Sequence, residues 1–317
     1  MTDKGVLIKR VTLVVKILLS VSLIYFLFTQ IDLIAIRDKI VGIDANWIVL
    51  VALIYLTQVV CAAIRWHYVL RSLNQNLPLP TALRLIMVGQ FFNQCLPSNI
   101  GGDAMRMYYL RGAGIETNPA VSSVLLDRIM GLIVLIALST VSLPFLANRI
   151  DDPLAIAGLA ALVGAGWFAV LALFVLDNPL THRFRAHKFL GLLIGLSQNA
   201  RALVCHRSAA ASVFSTSILI HLCSIGIAWT IDKALGGDAS FMIYLIAMVP
   251  TLLVVSIPVS IAGWGVREQA LVIILGGMGI ASAHAFSVSI LFGTVLILGS
   301  IPGAIFWLKS DRRTGQA

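Results

Sequence analysis

Six long apolar runs constrain the fold of this chain more than any other feature of its sequence. Each run is close to the roughly 20 residues that an α-helix needs to cross the hydrocarbon core of a bilayer. Inside that core every backbone N–H and C=O must be paired within the segment, so such runs predict spanning helices. The runs occupy residues 11–28, 47–64, 119–146, 154–176, 209–231 and 283–308.

The composition excludes a soluble protein. Apolar residues make up 59% of the 317 residues and charged residues only 12%. Ordinary soluble domains hold about 45–50% apolar and about 25% charged residues. A soluble globule could not bury this much apolar surface without leaving large exposed patches. A soluble enzyme, a disordered chain and a coiled coil are therefore excluded, and we predict an all-α polytopic membrane protein.

Two further apolar regions are interrupted by proline and glycine. The first covers residues 81–112 and is broken at 97–102, and the second covers 241–279 and is broken at 258–263. Proline removes a backbone donor, and glycine permits dihedral angles that other residues avoid. Each region predicts a broken helical hairpin that enters and leaves on one side of the membrane. Whether it is re-entrant or a full pair of spans stays open.

The charges in the loops predict an orientation. Lys and Arg dominate the two termini, the segment after residue 64 and the connection 177–207, whereas acids outnumber bases in the loops at 30–46, 147–153 and 232–240. Because Lys and Arg concentrate on the cytoplasmic side, we expect a multi-pass inner-membrane protein with both termini cytoplasmic. The net charge of +9 is then a matter of topology, and we expect no nucleic-acid partner.

An internal repeat accompanies this topology. Two spans, a broken hairpin and one span occur twice, which predicts one membrane repeat over 1–150 and another over 151–317. The loop charges place the two hairpins on opposite sides, as in the inverted repeats of many secondary transporters. Residues 96–106 and 257–267 align without a gap, and their identities are Pro97 with Pro258, Ile100 with Ile261, Gly102 with Gly263 and Arg106 with Arg267.

The first hairpin carries a cluster of small and polar residues. A helix that begins at Gly102 or Asp103 would direct its free N–H groups and positive dipole end into the membrane. Non-helical backbone at that depth survives only inside protein or beside water, so it would line a pathway. The alternative is a polar surface turn in which Asp103 and Arg106 pair. The candidate binding residues are Asn93, Pro97, Ser98, Asn99, Gly101, Gly102, Asp103 and Arg106.

The second hairpin carries a comparable cluster. Two glycines flank Trp264, and Arg267 follows with a fixed charge and five donors that suit a phosphate or a carboxylate. The alternative is an interfacial tryptophan followed by an Arg–Glu pair at a helix start. The candidate binding residues here are Ser260, Gly263, Trp264, Gly265, Arg267 and Glu268.

Asp127 and Arg128 are adjacent charges inside the predicted span 119–146. A charge at the centre of a membrane helix costs roughly 2.5–3.5 kcal/mol on insertion scales, so such residues are candidates for function. Adjacent helical residues point about 100° apart, which lets each reach a different partner. Arg128 could meet Asp103, or Asp127 could meet Arg106. The alternative is a structural ion pair that ties helices together.

Other polar residues in the apolar segments receive structural interpretations. Arg65 and Trp66 are predicted to anchor a helix end at the membrane interface. His221 is predicted to make a hydrogen bond between helices. The four cysteines lie far apart, and no P-loop, HExxH or GxSxG motif occurs. We therefore expect no metal and no cofactor.

Several of these motifs together resemble one family, the lysylphosphatidylglycerol synthase transmembrane-region family, also called flippase-like. They are residues 90–106, Arg65-Trp66, Asp127-Arg128 with Gly131, and residues 258–268. The family includes the flippase portion of the bacterial multiple-peptide-resistance factor, which moves aminoacylated phosphatidylglycerol, and members linked to hopanoids or polyprenyl-linked sugars. The resemblance implies lipid translocation. Because the chain ends soon after its last apolar run, synthesis of a lysyl lipid is not expected.

The sequence thus predicts an inner-membrane flippase for an anionic or phosphate-linked lipid, a transporter rather than an enzyme, and whether it catalyses any chemistry stays open. The substrate would be a phospholipid, a hopanoid or a polyprenyl-phosphate-linked lipid, and a homo-oligomer stays open. Arg106, Arg128 and Arg267 would hold the headgroup, while nearby acids balance their charge. The alternatives are a membrane-embedded enzyme that modifies a headgroup and a non-catalytic partner of a glycosyltransferase or synthase.

Overall fold

The computed structural model describes most of the chain as helix. The described residues are 42–95, 101–150, 152–178, 188–257 and 263–310. Within them there are ten α-helices and no strand. They are α1 (Ala45–Ser72), α2 (Leu79–Cys95), α3 (Gly101–Gly112), α4 (Thr117–Ala147), α5 (Pro153–Val175), α6 (Lys188–Cys205), α7 (Arg207–Ala234), α8 (Phe241–Val255), α9 (Val266–Gly277) and α10 (Ser282–Ser310).

Some sequence predictions fall outside the described residues. The first predicted span at 11–28 is one of them. The others are the binding candidates Pro97, Ser98, Asn99 and Ser260.

Five of the ten helices, α1, α4, α5, α7 and α10, are long and apolar enough to cross a membrane. They coincide with the five predicted spans between residues 47 and 308, so the prediction of a helical multi-pass membrane protein is confirmed for this part of the chain. In the most apolar stretch of α10, 56% of the residues are buried, whereas in that of α5 only 6% are buried. Helix α10 therefore lies inside the bundle, and α5 lies at its edge.

Side chains in the loops explain where two of these helices begin. Asp44 precedes α1, and its carboxylate accepts a hydrogen bond from the backbone of Asn46 at 2.9 Å. Asp152 precedes α5 and accepts from Leu154 at 2.9 Å. The next residue, Pro153, occupies the first position of the helix, where its missing N–H costs nothing. Acidic caps satisfy orphan donors and complement the helix dipole.

The helices of the two broken hairpins are short. Helices α2 and α3 have 17 and 12 residues, and α8 and α9 have 15 and 12. At 1.5 Å per residue, a helix of 12 residues rises only about 18 Å. The hydrocarbon core is about 30 Å thick. Short helices therefore flank each interruption, as predicted, and the entry and exit of each hairpin on one side of the membrane stays a prediction.

Helices α1 and α7 pack along each other in opposite directions. Gln58 Nε2 donates to Ser224 Oγ at 2.8 Å, and Arg65 Nη1 donates to Ser217 Oγ at 3.4 Å. Contact positions therefore rise along α1 as they fall along α7, which makes the pair antiparallel. This pair has the most extensive packing of any two described helices.

The remaining helices pack in corresponding pairs. Helix α2 packs on α10 while α8 packs on α4, and α3 packs on α4 while α9 packs on α10. Gly303 of α10 lies against the carbonyl of Met87 on α2, so a Cβ at this glycine would overlap that oxygen. Small residues of this kind allow close backbone approach between membrane helices.

Candidate functional site

Helix α3 begins at Gly101, one residue before the predicted start. The backbone N–H of Gly102 donates to Asn93 Oδ1 at 2.9 Å, so the last turn of α2 caps the first turn of α3. A Cβ at Gly102 would overlap the carbonyl oxygen of Gly89. The two glycines therefore let the hairpin close tightly and bring the positive end of α3 against α2.

Five charged side chains from three helices meet beside this helix start, and we call them the basic cluster. Arg106 Nη2 lies 2.9 Å from Asp127 Oδ2, and its Nη1 lies 3.4 Å from Asp103 Oδ1. Arg128 Nε lies 2.5 Å from Asp103 Oδ2, and Arg65 Nε lies 2.7 Å from Asp127 Oδ1. Both pairings predicted as alternatives from the sequence are present at the same time.

The interfacial interpretation of Arg65 and Trp66 is wrong. Arg65 is paired with Asp127, and Trp66 has no exposed surface. The guanidinium carbon of Arg106 lies 4.1 Å from the centroid of the Trp66 ring, a cation–π contact away from water. Sequence reasoning took Arg65 for an interfacial anchor near the end of a span. The sequence signal that could have corrected this interpretation is Trp66 itself, because a tryptophan inside a bundle can stack against an arginine from another helix.

The basic cluster holds more positive than negative charge. Its described members are three arginines and two aspartates. The Asp127 side chain is only 3% exposed, whereas that of Arg128 is 39% exposed. Buried ions are retained only when partners offset their desolvation, which can cost several kcal/mol per ion. The cluster therefore combines a closed pairing around Asp127 with a partly exposed Arg128 that pairs with Asp103.

A cavity of about 320 Å³ opens beside the basic cluster. Helices α1, α2, α3, α4 and α7 contribute to its wall, and Ser256, directly after α8, lines it from the second hairpin. Of the predicted binding residues, Asn93, Asp103, Arg106, Asp127 and Arg128 line this cavity. Arg65, Gln90 and His221, which the prediction left out, line it as well.

His221 makes the predicted hydrogen bond between helices. Its Nε2 lies 3.1 Å from the carbonyl oxygen of Gly131 on α4. A Cβ at Gly131 would come within 2.8 Å of Arg65 Nη1, so this glycine leaves room for the guanidinium. Gly131 thus serves the cluster by its lack of a side chain.

The second group of predicted residues forms a separate cluster. Arg267 Nη2 lies 2.7 Å from Glu268 Oε1, and Ser289 Oγ donates to the same oxygen at 3.1 Å. Glu268 Oε2 accepts from the backbone N–H of Gly265, which caps α9. The Arg–Glu pair that the sequence gave as the alternative is therefore present. Arg267 also lies over Trp264, with its guanidinium carbon 4.8 Å from the ring centroid.

The structure keeps these two groups apart. Arg106 and Arg128 share the cavity beside the basic cluster, whereas none of the described residues 263–268 lines that cavity. Arg267 is 2% exposed and has its own carboxylate partner. Gly263 and Gly265 both have positive φ angles, 83° and 81°, which only glycine adopts without strain. They turn the chain so that Trp264 faces Gly293 on α10.

The chain matches one known family of membrane proteins. The model of the family described as Lysylphosphatidylglycerol synthase TM region matches residues 13–303. No curated protein and no solved structure matches the chain. Because the family match covers most of its length, the chain belongs to this family of membrane proteins, as the sequence resemblance indicated.

Proposed function

We propose that this member of the lysylphosphatidylglycerol synthase transmembrane-region family is a lipid translocase for an anionic, phosphate-bearing lipid. The observation that carries the proposal is the basic cluster, in which three arginines and two aspartates surround an open cavity among apolar helices. Charge at membrane depth is costly, and where it occurs it commonly marks a substrate pathway.

A phosphate diester fits the charge of the basic cluster. It carries one negative charge, which would neutralise the excess of one arginine over the aspartates. Arginine offers planar donors that match phosphate oxygens in pairs, and the N-terminus of α3 adds a favourable dipole. Arg128 is the most exposed of the three arginines and would make the first contact, while Arg106, held by Asp127 and Trp66, would orient the bound group.

The helix order supports an inverted repeat around this site. The lengths of α1 to α4 are 28, 17, 12 and 31 residues. Those of α7 to α10 are 28, 15, 12 and 29. Since α1 and α7 are antiparallel, a rotation that exchanges them inverts one set relative to the other. We infer two opposed re-entrant hairpins, each with its ends on one side of the membrane.

This arrangement suggests how a headgroup crosses. The headgroup would sit in the cavity of the basic cluster, and the tails would stay in the surrounding lipid. Ser256 brings the second hairpin to the same cavity, so a rocking of one repeat against the other would change the side to which the cavity opens. The proposal includes the orientation with both termini cytoplasmic in the inner membrane.

A reconstituted assay tests the function. Purified protein in liposomes should move a fluorescent phosphatidylglycerol between leaflets, measured by quenching with external dithionite. Arg128→Gln should slow this movement about tenfold or more, because a hydrogen bond to a charged group is worth about 1.5–3 kcal/mol. The matched control is Arg111→Gln on the same helix as Arg106, because Arg111 is exposed at the last turn of α3.

The outcomes separate the candidate functions. If lipid movement slows equally in both variants, or does not slow in Arg128→Gln, the assignment of the site is contradicted. If the unaltered protein moves no lipid, translocation itself is contradicted. Mass spectrometry of the same vesicles should find the lipid chemically unchanged. A new headgroup mass would instead support an enzyme that modifies lipid.

A further inference from the structure

A second buried polar group lies where α7 ends and α8 and α10 begin. Asp232 Oδ1 accepts a hydrogen bond from the hydroxyl of Tyr244 at 3.0 Å and lies 2.8 Å from Nε2 of His284. We call these three residues the junction cluster. None of the three lines the cavity beside the basic cluster.

Only one of the two carboxylate oxygens of Asp232, Oδ1, has hydrogen-bond partners among the described residues. The residue is 1% exposed, and among the described residues Oδ2 has no hydrogen-bond partner. Gly237 closes over it, since a Cβ there would overlap the carboxylate. A buried carboxylate of this kind is costly unless a positive charge lies beside it.

Among the described residues, only His284 has a basic nitrogen within ion-pair distance of the Asp232 carboxylate. Lys233 follows Asp232 on α7, but its Nζ donates to the carbonyl of Gly237 at 2.9 Å. Asp238 in the next loop is exposed, and Asp44 caps the adjoining end of α1. From α8 the cluster receives the neutral Tyr244, and from α10 it receives His284, whose side chain is 26% exposed.

The corresponding positions in the other set of helices are apolar. Asp232 is the third residue from the end of α7, and the third from the end of α1 is Leu70. Tyr244 is the fourth residue of α8, and the fourth of α2 is Ala82. Leu70 and Ala82 have no exposed surface. One helix junction is therefore closed by apolar packing, and the other is closed through an acid and a histidine.

We propose that the junction cluster is a proton-binding site that links closure of this end of the protein to proton uptake. Histidine is the side chain whose charge ordinarily changes between about pH 5 and 8. When His284 carries a proton, Asp232 has a cationic partner and the three helix ends hold together. When the proton leaves, the buried carboxylate faces a neutral ring, and separation of the helices lets water solvate it.

This site deepens the proposed function by naming a driving force, and in that respect it rests on that function. A proton taken up from the side where α8 and α10 begin would close the junction on that side. Release of the proton would favour opening there. A proton gradient would then bias which side of the membrane the cavity faces.

Hydrogen exchange tests the proton site without any transport measurement. Amides at 232–244 and 282–286 should be on the order of tenfold better protected at pH 6 than at pH 8, after correction for the intrinsic rate, because a charged hydrogen-bond partner of Asp232 stabilises the closed junction more than a neutral one. His284→Gln keeps a donor for Asp232 but cannot gain a charge, so its protection should not change with pH. His206→Gln, an exposed histidine at the other end of α7, should behave like the unaltered protein.

The results are decisive in either direction. A pH response that persists in His284→Gln, or is absent from the unaltered protein, would overturn the proposal. Tyr244→Phe provides a second folded variant, since it removes one neutral donor and should keep the pH response. In liposomes with opposed pH gradients, lipid movement should depend on the gradient only while His284 is present. Absence of any lipid movement would overturn the proposed function and leave the exchange result to decide the proton site.

Discussion

At the scale of single residues, Asp127 and Asp103 make unequal contributions to the basic cluster. Asp127 pairs with Arg65 at 2.7 Å and Arg106 at 2.9 Å and is nearly inaccessible, whereas one partner of Asp103 is the exposed Arg128. Asp127→Asn should lower the free energy of unfolding by about 3–5 kcal/mol, because it leaves buried cations without a counter-charge. Asp103→Asn should lower the free energy of unfolding by a smaller amount. Reversible unfolding in mixed detergent micelles measures both, and the reverse order would contradict the assignment.

The contact between Gly89 and Gly102 gives a steric prediction. Gly102→Ala places a methyl group where the carbonyl oxygen of Gly89 lies, so it should destabilise the protein by about 1–3 kcal/mol through overpacking. Gly112→Ala, at the other end of α3, meets no atom within 4 Å and is the control. The midpoints of thermal unfolding compare the two variants. Equal midpoints would show that the hairpin is looser than described.

Single residues also show the limits of sequence reasoning. Asp103, Arg106, Asp127 and Arg128 could be found because charge within apolar segments is costly and so demands partners. Arg65 was missed because its partner lies 62 positions away on another helix, a distance that no local pattern encodes.

At the scale of helices, the spans could be predicted because hydrophobic length is a local property of the chain. The five described spans coincide with apolar runs, and caps such as Asp152 mark a start. Which helices touch could not be predicted, because most of the surface of each span is apolar and lipid is as good a neighbour as protein for such a surface. The lateral contacts depend instead on small residues and buried polar pairs such as Gln58 with Ser224.

The antiparallel pair of α1 and α7 can be tested by cross-linking. In a chain whose four cysteines are replaced by alanine, Gln58→Cys with Ser224→Cys should react with a short bifunctional thiol reagent, since the native side chains are in hydrogen-bond contact. Thr57→Cys with Ser224→Cys is the control, because Thr57 is exposed on the lipid-facing side of α1. Gel mobility after cleavage between α1 and α7 reports the link. Equal reaction of both pairs would contradict the packing.

For the molecule as a whole, the proposed inverted repeat predicts which sides of the membrane two of its loops face. Ala113 joins α3 to α4, and Ala281 joins α9 to α10, and both are exposed. In the same cysteine-free chain, Ala113→Cys and Ala281→Cys should be labelled from opposite faces by an impermeant maleimide, tested in intact cells and in inverted vesicles. Labelling of both from one face would refute the inversion while leaving the helix packing intact.

The excess positive charge of the basic cluster has an electrical consequence. A membrane potential acts on net charge that moves through it, at about 2.3 kcal/mol per elementary charge per 100 mV. Among the described residues the cluster holds three arginines against two aspartates, and in the proposed cycle a bound phosphate diester would cancel the difference. The membrane potential would then act on the step in which the empty site returns across the membrane. It would have almost no effect on the step in which the site carries lipid. The potential would set the rate at which the empty protein returns to its starting state, rather than the rate at which the loaded protein moves lipid.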